Sequence, residues 1–285
     1  DSAFVENIFK KLKMPFMIGK GQAHIEKQSL SNVSENFLRN ERFEFLSEAS
    51  KKFDADFIVL GHTSDDQVET VLMNLIRGTG LKGLEGISER TERIVKGNKI
   101  FLIRPLLNFT KTDTVNYCKQ IGVVPRIDCT NSSLIYTRNR IREDLIPKIE
   151  SDYNPQFRSS VLRLTNVAKK NNEYIENVVN RYWDSIVKNH DGIFVINKAK
   201  YLSLDRILRD QLLLQAAIRL QGHTQGIEQN HLDILANFLQ KQHYGNVPFH
   251  TGLKIMVTSK YILIGITSLI SQYPKFPSKK CFLKF

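Results

Sequence analysis

A short apolar run that ends in glycine and passes directly into a helical pattern constrains this chain more than any other feature. The run Phe57–Leu60 is typical of a buried strand, and Gly61 breaks it. Apolar residues then recur at helical spacing, at positions 68, 71, 72 and 75. We predict an N-cap at Ser64 with a capping box to Gln67, and a helix stop at Gly78. Such strand-to-helix junctions line the edge on which open α/β sheets bind ligands.

Polar side chains crowd the start of this predicted helix. Asp65 and Glu69 lie one turn apart and share a face, with Asp66 and His62 beside them. Two carboxylates in such a place are normally balanced by a cation, and Mg²⁺ that holds nucleotide phosphates is the common case. The simpler alternative is that the acids only favour the helix dipole and that His62 is a loop residue. We therefore take His62, Asp65, Asp66 and Glu69 as candidate catalytic residues, with Asp66 and Glu69 as candidate metal ligands.

A glycine-rich basic segment follows the helix. Three glycines, at positions 78, 80 and 83, fall within six residues and are flanked by Arg77 and Lys82. Glycines leave the backbone free to approach an anion closely, so we predict a mobile segment suited to phosphate contact. Its presence favours a ligand site over the simpler alternative.

Three ordered sequence blocks carry a family resemblance. Residues 61–84 contain GHTSDDQVET and RGTGLKGL, residues 104–107 are RPLL, and residues 128–147 contain DCTN, YTRNRIR and LIP. These blocks resemble the tRNA(Ile)-lysidine synthetases of the PP-loop ATP pyrophosphatase group. The resemblance covers residues 1–150 and implies an α/β catalytic domain related to the adenine nucleotide alpha hydrolases, with a parallel sheet and helices on both of its faces.

The resemblance also implies a reaction. Such an enzyme uses ATP with Mg²⁺ to adenylate the C2 oxygen of the wobble cytidine in an isoleucine tRNA with a CAU anticodon. The amine of free L-lysine then displaces AMP and leaves lysidine. Asp65, Asp66 and Glu69 are candidates both for the metal and for the lysine amine, and the sequence does not divide the two roles.

Arginines in the third block are the best candidates for phosphate contact. Arg138 and Arg142 are four residues apart and share a helix face, and Arg140 lies between them. Planar guanidinium groups bind phosphate through paired hydrogen bonds. The alternative is that one of them pairs with Glu143 or Asp144. The full set of predicted phosphate- or tRNA-binding residues is Arg77, Lys82, Arg104, Arg138, Arg140 and Arg142.

One motif of the resembled family has no counterpart in residues 1–285. That family binds ATP through an SGGxDS loop, which does not occur in this sequence. The first strands that would carry it are expected to be missing as well. We therefore expect an N-terminally truncated chain that by itself is inactive and binds no ATP.

The remaining patterns predict a two-domain chain. Residues 1–150 give helices at about 2–13, 34–53 and 65–77, strands at 16–18, 57–60 and 100–103, and a helix capped by Thr110 and Asp113 that ends at Gly122. Residues 151–285 predict a mainly helical tRNA-binding domain. It would hold a long helix through 161–179, helices at 204–220 and 228–240, and a final hairpin of 254–257 with 261–266.

Composition agrees with an RNA-handling protein. The net charge is +12, and residues 234–285 hold seven lysines and no acid, which suits a polyanion unless that tail is only a solvated surface. Three scattered cysteines indicate neither a disulfide framework nor a zinc site, and no apolar run reaches the roughly 20 residues of a membrane span. The excess of lysine over arginine suggests an A+T-rich genome, and hence a plastid stroma or a bacterial cytoplasm.

Two other functions remain open at this point. One is a different PP-loop enzyme such as a tRNA thiolase, which a sulfur-containing product or an Fe–S cluster would favour. The other is a non-catalytic RNA-binding remnant.

Overall fold

The chain divides into two compact units, 1–169 and 170–285. The structure is a computed structural model, and it describes residues 2–19, 21, 35–125, 137–222, 226–250 and 252–272. The predicted DCTN block and the tyrosine of YTRNRIR lie outside the described residues.

The first unit alternates helices with short strands, as the sequence predicts. Its elements are α1 (Ser2–Lys11), α2 (Glu35–Lys52), β1 (Ile58–Val59), α3 (Ser64–Arg77), α4 (Leu81–Leu84), β2 (Arg90–Val95), β3 (Asn98–Ile103), α5 (Lys111–Gln120), α6 (Thr137–Arg140), a π-helical turn (Ile141–Leu145), α7 (Ile146–Asp152) and the first part of α8 (Phe157–Ile186).

The described strands of this unit form one sheet in the order β1-β3-β2. β1 runs parallel to β3, with Ile58 beside Leu102, and β2 pairs antiparallel with β3. Phe43 of α2 packs on one face of the sheet, against buried side chains that include Ile100 and Leu102. The α/β class is thus confirmed, while β2 adds an antiparallel edge that the sequence did not predict.

A second core cluster explains why the first unit extends beyond the predicted boundary at residue 150. Val68, Val71 and Leu72 of α3 are buried against the π-helical turn and against Val161 of α8. The beginning of the long helix α8 therefore contributes to the core of the first unit. The predicted division at 150/151 ignored this packing, and the compact units divide within α8 instead.

One predicted strand of the first unit is absent from the described residues. Residues 14–19 adopt no regular structure, and the side chains of Phe16 and Ile18 are exposed. A strand needs a neighbour for its backbone hydrogen bonds, and none of the described segments provides one here.

The second unit combines helices with an antiparallel sheet. Its elements are the rest of α8, β4 (Val187–His190), β5 (Ile193–Asn197), α9 (Lys198–Leu202), α10 (Arg206–Gln221), α11 (Gln229–Gln240), β6 (Gly245–His250), β7 (Leu253–Val257), β8 (Tyr261–Ile266) and α12 (Thr267–Gln272).

The predicted β7–β8 hairpin is confirmed, and it is part of a five-stranded sheet in the order β4-β5-β8-β7-β6. The main core of the unit includes Trp183 of α8, Leu213 of α10 and Leu235 of α11, together with inward residues of the sheet. None of the described helices is long and apolar enough to cross a membrane.

Candidate active site

The junction between β1 and α3 is capped one residue earlier than the sequence predicts. Thr63, not Ser64, is the N-cap, and its backbone amide donates to Oδ2 of Asp66 at 2.8 Å. Ser64 is already helical, and its amide donates to the Phe109 carbonyl. Gln67, the predicted capping partner of Ser64, is not part of the cap. Its side chain donates to the Glu85 carbonyl and accepts from the Ile87 amide.

The acids of α3 meet arginines of the third sequence block. Glu69 has a fully buried side chain, and it accepts hydrogen bonds from Nε of Arg138 at 2.7 Å and from Nε of Arg142 at 2.6 Å. Arg138 also donates to Oδ1 of Asp66 at 2.9 Å, whereas Arg142 lies 3.6 Å from the same oxygen. The hydrogen bond that Arg142 donates to Glu69, partly offset by burial, raises the pKa of Arg142. We call Asp66, Glu69, Arg138 and Arg142 the carboxylate–arginine cluster.

Local structure explains why these residues meet. Arg138 and Arg142 are four residues apart across α6 and the π-helical turn, so they share a face, as predicted. Ile141, between them, is buried against the apolar side of α3. The same packing that buries Ile141 therefore brings both guanidinium groups to Glu69.

Asp65 belongs to a neighbouring ion pair. Its Oδ1 accepts from Arg158 of α8 at 2.8 Å, and its Oδ2 accepts from the backbone amide of Lys111 at 2.7 Å. Arg158 also donates to Glu150 at 3.1 Å. Asp65 thus ties the start of α3 to α5 and α8.

These carboxylates do not fit the predicted Mg²⁺ site as they are placed. Both oxygens of Glu69 and both of Asp66 already accept hydrogen bonds from guanidinium, amide or hydroxyl groups. Two arginines balance two carboxylates, so no negative charge remains to offset a dication. Within the described part of the chain, no group of three or more His, Cys, Asp or Glu side chains could hold a metal ion.

Beside the cluster lies a cleft of about 770 Å³ whose lining is strongly basic. Arg39 and Arg42 of α2 and Arg104 after β3 join Arg138 and Arg142 in lining it, and Asp66 is the only lining acid among the described residues. We call this the arginine cleft. Even when the buried Glu69 is counted with Asp66, arginines exceed carboxylates by three, so the cleft is suited to an anion.

Arg104 is the most deeply buried of the arginines without an acidic partner. It is 8% exposed, and one terminal nitrogen donates to the Ser88 carbonyl at 2.7 Å and to the Thr91 hydroxyl at 2.9 Å. Its Nε is buried without a hydrogen-bond partner in the described structure. Burial first, and Arg39 second, lower the pKa of Arg104.

His62 lies in the same cleft, where its surroundings favour the neutral form. Burial is the main cause that lowers its pKa from the ordinary 6.5, and Arg104, Arg138 and Arg42 add to the effect, whereas Asp66 opposes it. Its Nδ1 is buried and bonds to none of the described groups. A neutral imidazole with an unused nitrogen is able to accept or donate one hydrogen bond to a ligand.

The other predicted basic residues lie outside the arginine cleft. Arg77 is at the far end of α3, about 18 Å along the helix from Asp65. Lys82 forms an ion pair with Glu85 at 3.2 Å, and Arg140 is exposed without lining the cleft. The structure therefore brings together His62, Asp66, Glu69, Arg104, Arg138 and Arg142, but not Arg77, Lys82 or Arg140.

Hydrogen bonds join the end of the glycine-rich segment to α3. Asn74 donates to the Gly83 carbonyl at 2.8 Å, and Gln67 bonds the chain on both sides of Gly86. Gly86 has a φ of 65°, and a Cβ there would lie 2.7 Å from Oε1 of Gln67. Only glycine suits this close approach.

Sequence reasoning missed Arg39, Arg42 and Arg158. The first two are three residues apart on α2 and so share a face, which is a weak signal in a helix rich in charges. Arg158 follows the third block on a different helix, and its pairing with Asp65 joins residues 93 positions apart. No local pattern indicates such a contact.

Comparison with known proteins agrees with the sequence blocks. Residues 1–149 of the 285 match the PP-loop domain family. A tRNA(Ile)-lysidine synthase of Dehalococcoides mccartyi is 29% identical over 266 residues, which are 93% of this chain and 56% of the relative. One of Clostridioides difficile is 32% identical over 236 residues, 82% of this chain and 49% of the relative. The chain thus spans about half the length of these curated relatives.

Among solved structures, a U34-tRNA thiolase from Methanococcus maripaludis with a [4Fe-4S] cluster aligns with a TM-score of 0.42 and 17% identity, over 58% of this chain and 56% of the thiolase. That likeness is too low to carry an argument. The match to the family model, by contrast, covers residues 1–149 and confirms the predicted relationship. The chain belongs to the PP-loop domain family.

Proposed function

We propose that the protein carrying this chain is an ATP-dependent ligase that attaches lysine to the wobble cytidine of isoleucine tRNA. The observation that carries the proposal is the arginine cleft, which lies just after β1 and holds three more arginines than carboxylates. The named relatives, tRNA(Ile)-lysidine synthases, supply the substrate class.

The proposed reaction has two steps. The C2 oxygen of the cytidine in a CAU anticodon attacks the α-phosphorus of ATP, a P–O bond forms, and pyrophosphate leaves. The uncharged amine of free L-lysine then attacks C2, the C–O bond breaks, AMP leaves, and the nitrogen loses a proton. Negative charge gathers on phosphate oxygens in both steps, which is where guanidinium groups contribute most.

Residue roles follow from which charges are already balanced. We assign phosphate contact to Arg39, Arg42 and Arg104, because none of them forms an ion pair with a described carboxylate. We assign Asp66 and Glu69 to positioning Arg138 and Arg142. His62, whose surroundings favour the neutral form, is assigned one hydrogen bond to the phosphate or to the base.

ATP is the expected co-substrate, and Mg²⁺ is expected to accompany its phosphates. Since the cluster carboxylates do not fit a metal, no step is assigned to one. A tRNA substrate places the reaction where translation occurs, in a bacterial cytoplasm or a plastid stroma.

The test is direct. The protein as its gene encodes it is incubated with ATP, L-lysine and a CAU-anticodon isoleucine tRNA, and the nucleosides are analysed by mass spectrometry. Lysidine should form only when all three are present, and a matched tRNA with a GAU anticodon, which lacks the wobble cytidine, should stay unmodified. Incorporation of sulfur in place of lysine, or an unmodified CAU tRNA, contradicts the proposal.

A further inference from the structure

The second unit contains a pocket of about 580 Å³ that no part of the proposed reaction uses. It is lined by residues of α9, α10 and α11 and by Tyr244, which precedes β6. Its size is that of a site for a small ligand or a single nucleotide.

Two cations of this pocket have no carboxylate partner among the described residues. Lys198 is only 9% exposed, and its Nζ lies 4.8 Å from the centre of the Tyr244 ring. Arg209 has a buried Nε without a hydrogen-bond partner in the described part of the unit. A buried donor on a charged group is costly to leave unsatisfied, so an anion that enters the pocket gains both hydrogen bonds and charge compensation.

The third cation of the pocket makes a useful contrast. Arg206 donates to Asp210 at 2.8 Å and to Asp233 at 2.7 Å, so its charge is already balanced. Neither of these acids lines the pocket. The uncompensated positive charge therefore comes from Lys198 and Arg209.

The rest of the pocket fits a nucleotide rather than a bare ion. Tyr244 is 61% exposed, and Lys198 occupies only one side of its ring, which leaves surface for a stacked base. Gln240 and Gln242 supply amides that can both donate and accept, and Leu202 and Leu239 supply apolar contact. The segment 234–285, from which Gln240, Gln242 and Tyr244 come, holds seven lysines and no acid.

From these features we infer that the pocket formed by Lys198, Arg209 and Tyr244 binds the phosphate and base of one nucleotide. The phosphate lies between Lys198 and Arg209, and the base stacks on Tyr244. The site is separate in its residues from the arginine cleft, and the inference does not depend on lysidine formation.

The first experiment locates binding by NMR. Backbone amides of the labelled chain 1–285 are followed while AMP, and separately inorganic phosphate, is added up to about 10 mM. Amides of Arg209, Gln240 and Tyr244 should shift saturably, with AMP binding more tightly than phosphate. If these amides do not move with either probe, the inference is wrong, whatever occurs at the arginine cleft.

Substitutions then separate the contributions. Arg209→Met and Lys198→Met should each weaken the binding of both probes, followed at these amides, about tenfold or more. Lys188→Met changes the net charge equally at an exposed position of the same unit and should have no effect. Tyr244→Ala should weaken the binding of AMP and leave the binding of phosphate unchanged. Equal losses in Lys188→Met would show a diffuse charge effect and overturn the assignment.

Two further measurements complete the test. Arg209→Lys keeps the charge but loses the fork of donors, so a folded Arg209→Lys protein should show an intermediate loss even if Arg209→Met is unstable. A short single-stranded RNA should displace AMP if the nucleotide belongs to an RNA chain. If AMP remains bound, the ligand is a free nucleotide.

Discussion

The arginine cleft contains two kinds of arginine, and their difference separates positioning from binding. Arg138 and Arg142 are matched by Asp66 and Glu69, and their geometry is fixed by hydrogen bonds of 2.6 to 2.9 Å. Arg39 and Arg42 are exposed, and both lie over the ring of Phe43 rather than beside a described acid. Arginine therefore has two roles in the cleft. Arg138 and Arg142 act as a structural brace, and Arg39 and Arg42 are free positive charges.

This contrast implies different consequences for mutation. Removing a charge from a buried, balanced pair leaves its partner uncompensated, which costs stability. Removing an exposed, unpaired charge leaves the fold intact and reduces only the attraction for an anion.

Glu69→Gln should destabilise the protein more than any other single change in the cleft. The substitution keeps the shape but leaves Arg138 and Arg142 with one carboxylate, Asp66, instead of two. A loss of about 3 kcal/mol or more in the free energy of unfolding is expected, measured by urea denaturation. Glu143→Gln, at an exposed acid of the adjoining π-helical turn, serves as the control and should change stability by less than about 0.5 kcal/mol. Equal stability of the two variants would mean that Glu69 is not a brace.

Arg42→Gln and Arg39→Gln should lower activity without lowering stability. In the protein as its gene encodes it, each should lower kcat/KM for lysidine formation about ten- to hundredfold, while the free energy of unfolding stays within about 0.5 kcal/mol of the wild type. Arg77→Gln is the matched control, because Arg77 is an exposed arginine of the same unit that lies outside the cleft. A comparable loss in Arg77→Gln would return the phosphate role to the glycine-rich segment that the sequence favoured.

Asp66→Asn tests a residue with two roles, in the helix cap at Thr63 and in the ion pair with Arg138. Its loss weakens the cap at Thr63 and the ion pair to Arg138, so a stability cost of about 1 to 2 kcal/mol is expected. If Asp66 positions Arg138 for the phosphate step, pyrophosphate release should slow in proportion to overall lysidine formation. Accumulation of adenylated tRNA in this variant would instead assign Asp66 to the incoming lysine amine.

The sequence identified the elements of this site better than it identified their partners. Strand, glycine and helical spacing are local patterns, and they predicted the β1–α3 junction and the shared face of Arg138 and Arg142. The ion pair between Arg138 and Glu69 spans 69 positions, and nothing local shows that the cation balancing two carboxylates is arginine rather than Mg²⁺. The metal assignment rested on the need for a cation beside Asp66 and Glu69. In the structure that cation is arginine.

The same limit applies to the second unit. β5 begins with four buried apolar residues, Ile193 to Ile196, and such a run has no periodicity that separates a strand from a buried helix turn. The β7–β8 hairpin was predictable because its two strands flank an obvious polar turn. Its extension to a five-stranded sheet depends on pairings between β5 and β8 and between β6 and β7. Pairing of β5 with β8 joins segments far apart in the chain, which local patterns do not reveal.

The smallest predicted effect is also the most specific, because the arginines of the cleft and Asp66 act on the pKa of His62 with opposite sign. Burial lowers the pKa of His62 below 6.5, Arg104, Arg138 and Arg42 lower it further, and Asp66 raises it. Because the folded protein favours the neutral form of this histidine, its contribution to stability is complete above about pH 6.5 and is lost as the pH falls toward the folded pKa.

NMR titration of the His62 ring should give a midpoint below 6.5 in the wild type. Arg42→Gln should move that midpoint up, and Asp66→Asn should move it down. Because an anion offsets the charge of the unpaired arginines, bound phosphate should also raise the midpoint. A midpoint that does not change when phosphate is added would show that the free charges of the cleft do not face a ligand there.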